Sequence, residues 1–329
     1  MILVTGATGF IGSAVVRKLI SRGYGVRVLV RATSDRRNLN GLDVDIVKGD
    51  LLESDTLKPA LEGCSGLFHV AADYRLWVPN PEKMFKANVS GTKNLLMAAK
   101  ECGVERIIYT SSVAVLGNLP GDLSANETTP VAFGDMVGPY KQSKFLAEQE
   151  VVNLIASHEL DVVIVNPSTP IGPRDIRPTP TGKVIVEAAS GRMPAYVNTG
   201  LNIVHVDDVA EGHMLAFEGG VVGQRYILGG ENILFRDLLY LISKLTNNKA
   251  PRLRLPVNAI LPFAFMAEIW ARLGFCKEPF ASVDSLRMAK KKMFFTHEKA
   301  GRELNYSPRP AKQAIIDAIQ WFNGHNYII

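Results

Sequence analysis

Apolar residues along this chain fall into short unbroken runs, separated by longer stretches in which they recur every three or four positions. The runs are 2–5 ("ILVT"), 25–30 ("GVRVLV"), 44–47 ("VDIV"), 66–72 ("GLFHVAA"), 106–112 ("RIIYTSS") and 161–168 ("DVVIVNPS"). They have strand length and are rich in β-branched residues. Three longer segments carry helical spacing: 13–23, stopped by Gly23; 80–103, opened by Asn80 and Pro81; and 139–159. Strands apolar on both faces, alternating with helices, predict an α/β fold built on a doubly wound parallel sheet.

After about residue 170 the alternation loosens, and prolines at 170, 173, 178 and 180 mark a crossing. The chain is therefore expected to divide into a sheet domain at 1–170 and a smaller, mostly helical lobe at 171–329. Residues 202–230 are expected to return to the main sheet. Two lobes imply a cleft between them, where ligands bind. The most apolar stretch, 257–275, is interrupted by Pro262, Glu268 and Arg272, so it is not a spanning helix. It reads as a core or cleft-covering helix. The alternatives are a wall for an apolar substrate, or a peripheral membrane contact helped by Lys290, Lys291 and Lys292.

Charge and cysteine content narrow the class. Lys and Arg number 37 against 32 Asp and Glu, a mild net +5 spread along the chain, which argues against a nucleic-acid partner. Cys64, Cys102 and Cys276 are odd in number and form no CxxC, as in a cytoplasmic protein with reduced thiols. The six histidines show no ligand spacing, so no metal is expected. A first strand beginning at Ile2 leaves no room for a leader.

The turn after that strand, "VTGATGFIG", places Gly6, Gly9 and Gly12 between a strand and a helix, with Thr8, Phe10 and Ile11 in the same turn. Glycines there permit a tight turn and close approach of a pyrophosphate to the helix N-terminus. The context is the one a Rossmann-type dinucleotide site demands. At the end of the second strand an acidic residue would hold the ribose 2′-hydroxyl of NAD; this chain has Arg31, which suits the 2′-phosphate of NADP. A guanidinium forks onto phosphate oxygens. The prediction is NADP(H) rather than NAD(H). Arg36 and Arg37 follow closely, either as further phosphate contacts or on a solvated loop.

"YKQSK" sets Tyr140 and Lys144 one helical turn apart on one face. A free tyrosine titrates near 10, and a neighbouring ammonium is expected to pull it down toward the working range. The same ammonium is placed to hold the nicotinamide ribose. Ser112 closes "YTSS" at a strand's C-terminal end, where open α/β sheets bind ligands, and is placed to hydrogen-bond a substrate oxygen.

With "GDL" (49–51), "HVAA" (69–72), Asn88 in "KANVSGT" and "HVDDV" (205–209), the chain resembles the extended short-chain dehydrogenase/reductases over about residues 2–210. The resemblance implies Ser112, Tyr140 and Lys144 as a catalytic triad supported by Asn88. It implies Asp50 and Leu51 against the adenine, and Ala71, Ala72, Pro167 and Ser168 along the cofactor. Within that superfamily the chain is similar to the hopanoid-associated sugar epimerases, near the dihydroflavonol and aldehyde reductases, through "ADYRLWVPNPEKMFKANVSGTKNLL", "VNPSTPIGPRDIRPTPTG" and "MAKKKMFF". That similarity implies a role in hopanoid lipid production.

Departures from the nucleotide-sugar pattern lean toward reduction. Leu116 stands where sugar epimerases carry a Tyr, and "TPIGP" resembles the reductases. Val113 and Ala114 replace the Asp–Glu pair of the dehydratases. The reading is an NADP(H)-dependent oxidoreductase acting on a small-molecule carbonyl or secondary alcohol. The alternatives are an epimerase with tightly held cofactor and a non-catalytic NADPH sensor. Asp73, Tyr74, Arg75 and Trp77 are expected to overhang the nicotinamide or pack on the second lobe, and Val113 to touch substrate. Arg174 and Arg177 are expected to meet a phosphate or carboxylate, or to face water. By analogy with the superfamily, the two long helices form a homodimer interface.

Overall fold

The computed structural model describes residues 1–276, 278–279 and 281–328. Its first half runs β1 (Ile2–Thr5), α1 (Phe10–Ser21), β2 (Val26–Val30), β3 (Asp45–Lys48), α2 (Leu57–Leu61), β4 (Gly66–His69), α3 (Glu82–Phe85), α4 (Gly91–Glu101), β5 (Arg106–Thr110), α5 (Gly138–His158) and β6 (Val162–Pro167). The second half runs β7 (Thr169–Ile171), α6 (Pro180–Ala189), β8 (Ala195–Tyr196), β9 (Gly200–His205), α7 (Val206–Gly219), β10 (Arg225–Leu228), β11 (Glu231–Leu234), α8 (Phe235–Thr246), β12 (Leu253–Arg254), α9 (Val257–Arg272), α10 (Val283–Met288), α11 (Glu298–Leu304) and α12 (Ala311–Gly324).

Seven strands pair in parallel in the order β10-β6-β5-β4-β1-β2-β3. The alternation of side chains along each strand feeds two cores. Ile2 and Val4 of β1 enter the layer shared with α1 and α7, whereas Leu3 enters the layer shared with α2, α4 and α5. Full burial of such a side chain contributes roughly 1.5–3 kcal/mol, so both faces hold the sheet. The strand order reverses between β1 and β4. Open α/β sheets take their ligands at the carboxyl ends of the strands flanking such a reversal.

Two expectations are corrected. Residues 202–230 do not return as a unit: β10 joins the main sheet beside β6, but β9 lies in a separate three-stranded sheet, β11-β9-β7. The reason is the helix between them, α7, which packs on α1 and so carries the chain back across the sheet. The helix expected over 80–103 is interrupted by a π turn at Lys86–Ser90. Such a turn widens the ladder by one residue and recurs at functional sites. Here it holds Asn88.

A further core of Ile171, Ile185, Ile203, Leu238, Ile242, Ile315 and Phe322 unites β7, β9, α6, α8 and α12. Among the described residues no helix is long and apolar enough to cross a membrane.

Candidate active site

The glycine turn is built for close approach. Gly6 has φ +72°, and a Cβ there would lie 2.6 Å from the backbone nitrogen of Ala71. At Gly12 a Cβ would lie 2.1 Å from the Gly6 carbonyl oxygen. No side chain therefore fits between β1, the start of α1 and the end of β4, and the backbone segments pack directly on one another there. Gly9 caps α1 without a side-chain hydrogen bond, and the first turn holds no acidic residue. Its free N–H groups and positive dipole end favour an anion. Thr8, Phe10 and Ile11 line this turn half-buried, and the Asn38 side chain donates to the Thr8 carbonyl at 3.2 Å.

Beyond β2, the three arginines differ. Arg37 forks onto Asp35, with bonds of 2.8 and 3.1 Å, and holds that carboxyl down at about 2. Among the described residues, the guanidinium groups of Arg31 and Arg36 make no hydrogen bond or ion pair; Arg31 engages Ser34 only through its backbone nitrogen. Asp50 caps its own turn by accepting from Leu52 N at 3.0 Å, and Leu51 packs against Gly91 at the start of α4. Ala71 and Ala72 follow β4 half-buried. Pro167 ends β6, and among the described residues the buried Ser168 hydroxyl has no hydrogen-bond partner. This set of a glycine turn without side chains, a bare helix N-terminus, an orphaned hydroxyl and two unpaired guanidiniums fits a dinucleotide phosphate ester.

The catalytic candidates converge at the C-terminal end of β5 and the first turns of α5. Tyr140 and Ser112 are both half-buried, and the Ser112 hydroxyl hydrogen-bonds the phenol and lowers its pKa. Burial outweighs that and leaves the phenol above its usual value. Lys144 is buried one turn on. Its Nζ donates to the Tyr109 hydroxyl and to the Thr110 carbonyl, each at 2.9 Å, and sits 4.6 Å over the Tyr109 ring. The expectation that Lys144 depresses the Tyr140 pKa is therefore corrected: its ammonium is committed to β5, and Tyr140 keeps its proton at neutral pH. Burial lowers Lys144 itself to about 8, partly opposed by Glu148.

Behind these groups runs a buried polar chain that sequence reasoning missed. Asn166 donates to the Ser112 carbonyl and to Glu148, both at 3.0 Å, and Glu148 accepts from Arg225 at 2.7 Å. The signal was present, since Glu148 follows Lys144 by four residues. His69 is also buried: its ring bonds Thr5 at 2.7 Å and Thr92 at 2.9 Å, and burial pushes its pKa down to about 3. It is a neutral brace between β4 and α4.

Asn88 acts by positioning. Its amide accepts from Asp73 N at 2.7 Å, donates to Asp73 O at 3.0 Å and donates to Ser143 at 2.9 Å. It thus ties the 73–77 loop to α5. In that loop Asp73 pairs with Arg75 at 2.5 Å, Trp77 is half-buried, and the exposed Tyr74 is turned toward Asp175 and Arg177. Asp175 is buried, with its carboxyl raised to about 6, and accepts from both the backbone and hydroxyl of Thr179.

Two substrate candidates are displaced. Val113 is 3% exposed, because the tight turn after Ser112 drives its side chain into a core with Val115, Leu116, Ala125, Ile227 and Phe295. Arg174 has φ +75° and pairs with Asp207. It lines a cavity with Arg17, Arg37 and Trp321, away from Tyr140. Arg177 reaches Asp35 at 3.5 Å.

Residues 2–229 match the family model described as the NAD dependent epimerase/dehydratase family. The chain is similar to the putative dihydroflavonol 4-reductase of Synechocystis sp., 46% identical over 99% of this chain and 95% of that protein. It is similar to sterol demethylase protein B of Methylococcus capsulatus, 34% identical over 99% of both. The crystal structure of gox2253 superposes with a TM-score of 0.90 at 56% identity, covering 100% of this chain and 99% of that one.

Proposed function

The chain belongs to the NAD dependent epimerase/dehydratase family, of the extended short-chain dehydrogenase/reductase type, and from that premise we propose an NADP(H)-dependent reductase of a carbonyl on an apolar small molecule. The observation that carries this reading is the pair of unpaired guanidiniums, Arg31 and Arg36, beside the glycine turn. They suit a 2′-phosphate, and a reductase drawing on a cellular NADPH pool gains from that contact. An epimerase returns its hydride within one turnover and has no such need.

The chain's residues then divide the work. Tyr140, held protonated by burial, gives its proton to the substrate oxygen as that oxygen gains charge, and Ser112 orients the same oxygen by hydrogen bonding. Lys144 holds positive charge at the C-terminal end of β5, and Glu148 sustains that charge. Bound at the glycine turn, the nicotinamide nucleotide supplies the hydride. Asn88 keeps the 73–77 loop over the cleft.

The similarity to a sterol-processing protein and to a dihydroflavonol reductase supports a fused-ring or isoprenoid substrate. A place in hopanoid lipid production fits that class, with the enzyme working in the cytoplasm. A homodimer through α4 and α5, where Met97, Leu146 and Val152 stay accessible, belongs to the same reading.

Denaturing the purified protein and identifying any released nucleotide tests the proposal. The expected result is little bound nucleotide, with NADPH then binding at least about tenfold more tightly than NADH, a preference that Arg31→Asp reverses. Stoichiometric NAD⁺ surviving purification would instead identify an internal-redox epimerase.

A further inference from the structure

Helix α9 turns its apolar residues outward. Phe263, Phe265, Met266, Ile269 and Trp270, with Leu273 and Phe275 just beyond, are all exposed, four of them by 61–74%. At 3.6 residues per turn those on the helix cover roughly 160° of its circumference as one continuous face. Only Ala264 and Ala271 are buried on the opposite side. Monomeric soluble proteins rarely leave so large a contiguous apolar patch in water.

The surroundings of the face say what covers it. Positive charge is less even than it looks along the chain: residues 249–292 hold nine Lys and Arg against three Asp and Glu, more than the whole chain's net +5. All three carboxylates are engaged within the protein. Glu268 accepts from Val283 N at 2.7 Å, Glu278 pairs with Lys183 at 3.1 Å, and Asp284 pairs with Arg287 at 3.6 Å. Arg272 borders the apolar face. Arg254 and Lys290 line a recess of about 420 Å³ at the N-terminal end of α9, with Pro256 and Asn258. Lys292 and Arg287 are neutralised by Asp122 and Asp284, but Arg254, Arg272 and Lys290 have no carboxylate partner among the described residues. Aromatic and aliphatic side chains bordered by these three cations match an anionic lipid surface, where rings enter the acyl boundary and cations meet phosphates. A second copy of the chain would bring the same cations against themselves.

The face also adjoins the cleft. α10 packs on α9, and the Asp284 carboxylate lies 2.8 Å from where a Cβ on Gly138 would be, two residues before Tyr140. We propose that the α9 face docks on an anionic phospholipid bilayer, which sets the mouth of the cleft at the membrane so that the substrate enters from the lipid. The substrate part rests on the reductase reading above; the docking part does not.

Flotation with vesicles of phosphatidylcholine plus phosphatidylglycerol, against pure phosphatidylcholine, tests it. The wild-type protein is expected to float with the anionic vesicles and much less with the neutral ones. Arg254→Gln with Lys290→Gln should lower anionic-vesicle binding roughly thirtyfold, at about fivefold per cation. Phe265→Glu with Trp270→Glu should abolish it while leaving NADPH affinity unchanged. If that double variant fails to fold, wild-type tryptophan emission supplies the second readout. It should shift to the blue on anionic vesicles, and Trp270→Phe should remove the shift. No flotation on either vesicle would overturn the proposal. So would a dimer, seen by sedimentation without lipid, that Phe265→Glu with Trp270→Glu converts to monomer, since the face then belongs to a second copy. Vesicle binding without NADPH binding would count against the reductase reading alone.

Discussion

Helix α5 buries Lys141, Lys144 and Glu148, whereas α9, joined to it through α10, holds Phe265, Trp270 and Leu273 in water. The two depart from the usual sorting of charge and apolar surface in opposite directions. On α5, Lys144 meets a hydroxyl and a carbonyl, and Glu148 meets an arginine and an amide. Burying charge is costly unless it is paired, and paired charge is held at fixed positions. On α9 Trp270 meets only the equally exposed Phe275, at 5.9 Å between ring centroids, and the face stays in water, so its unfavourable hydration is available to drive association. On the two proposals above, one helix holds fixed geometry at a reacting atom and the other makes contact with something outside.

The largest effect that tests this contrast is at Tyr140. Tyr140→Phe removes the proposed proton donor and should lower kcat by about 10²–10⁴ while NADPH affinity stays within twofold, read by steady-state kinetics and fluorescence titration. Retained turnover would show that the α5 end does not perform the proton transfer. Glu148→Gln should come next. It leaves Arg225, whose side chain is 37% exposed, without its carboxylate, so urea unfolding should show a loss of only about 1 kcal/mol. Because Glu148 raises the Lys144 pKa, its removal lets that pKa fall below its present value of about 8. The ammonium is lost as pH rises through the pKa, so the alkaline limb of the pH–rate profile should move to lower pH. An unmoved limb would separate Glu148 from the chemistry and leave it a packing role. The smallest effect belongs to α9. Phe263→Ser or Phe265→Ser should change stability by less than about 0.5 kcal/mol, against 2–5 kcal/mol for Leu96→Ala in the core. A loss of several kcal/mol at Phe265 would mean that the face is packed, and the contrast with α5 would fail.

Much of this was legible along the chain. The strands of the main sheet appear as apolar runs because both faces of a parallel sheet are buried, and their ends move by only a few residues in the structure. The glycine turn and the Tyr140–Lys144 pair are readable because each depends on neighbours within a few positions. The membrane alternative for 257–275 could be raised from the sequence, but an apolar run reads the same whether its face is covered or bare.

What the linear order could not convey are contacts between distant segments. Lys144 is directed to Tyr109, thirty-five residues away, so its ammonium does not serve the phenol next to it on the helix. Arg174 is drawn to Asp207 and Val113 into a core with Phe295, which removes both from the substrate side. β9 leaves the main sheet because α7 carries the chain across it. Periodicity and local spacing are properties of the chain, and they specify which elements form and which residues share a face. Which faces are covered, and which of several partners a charge takes, depend on free energies that exist only once remote segments are packed together.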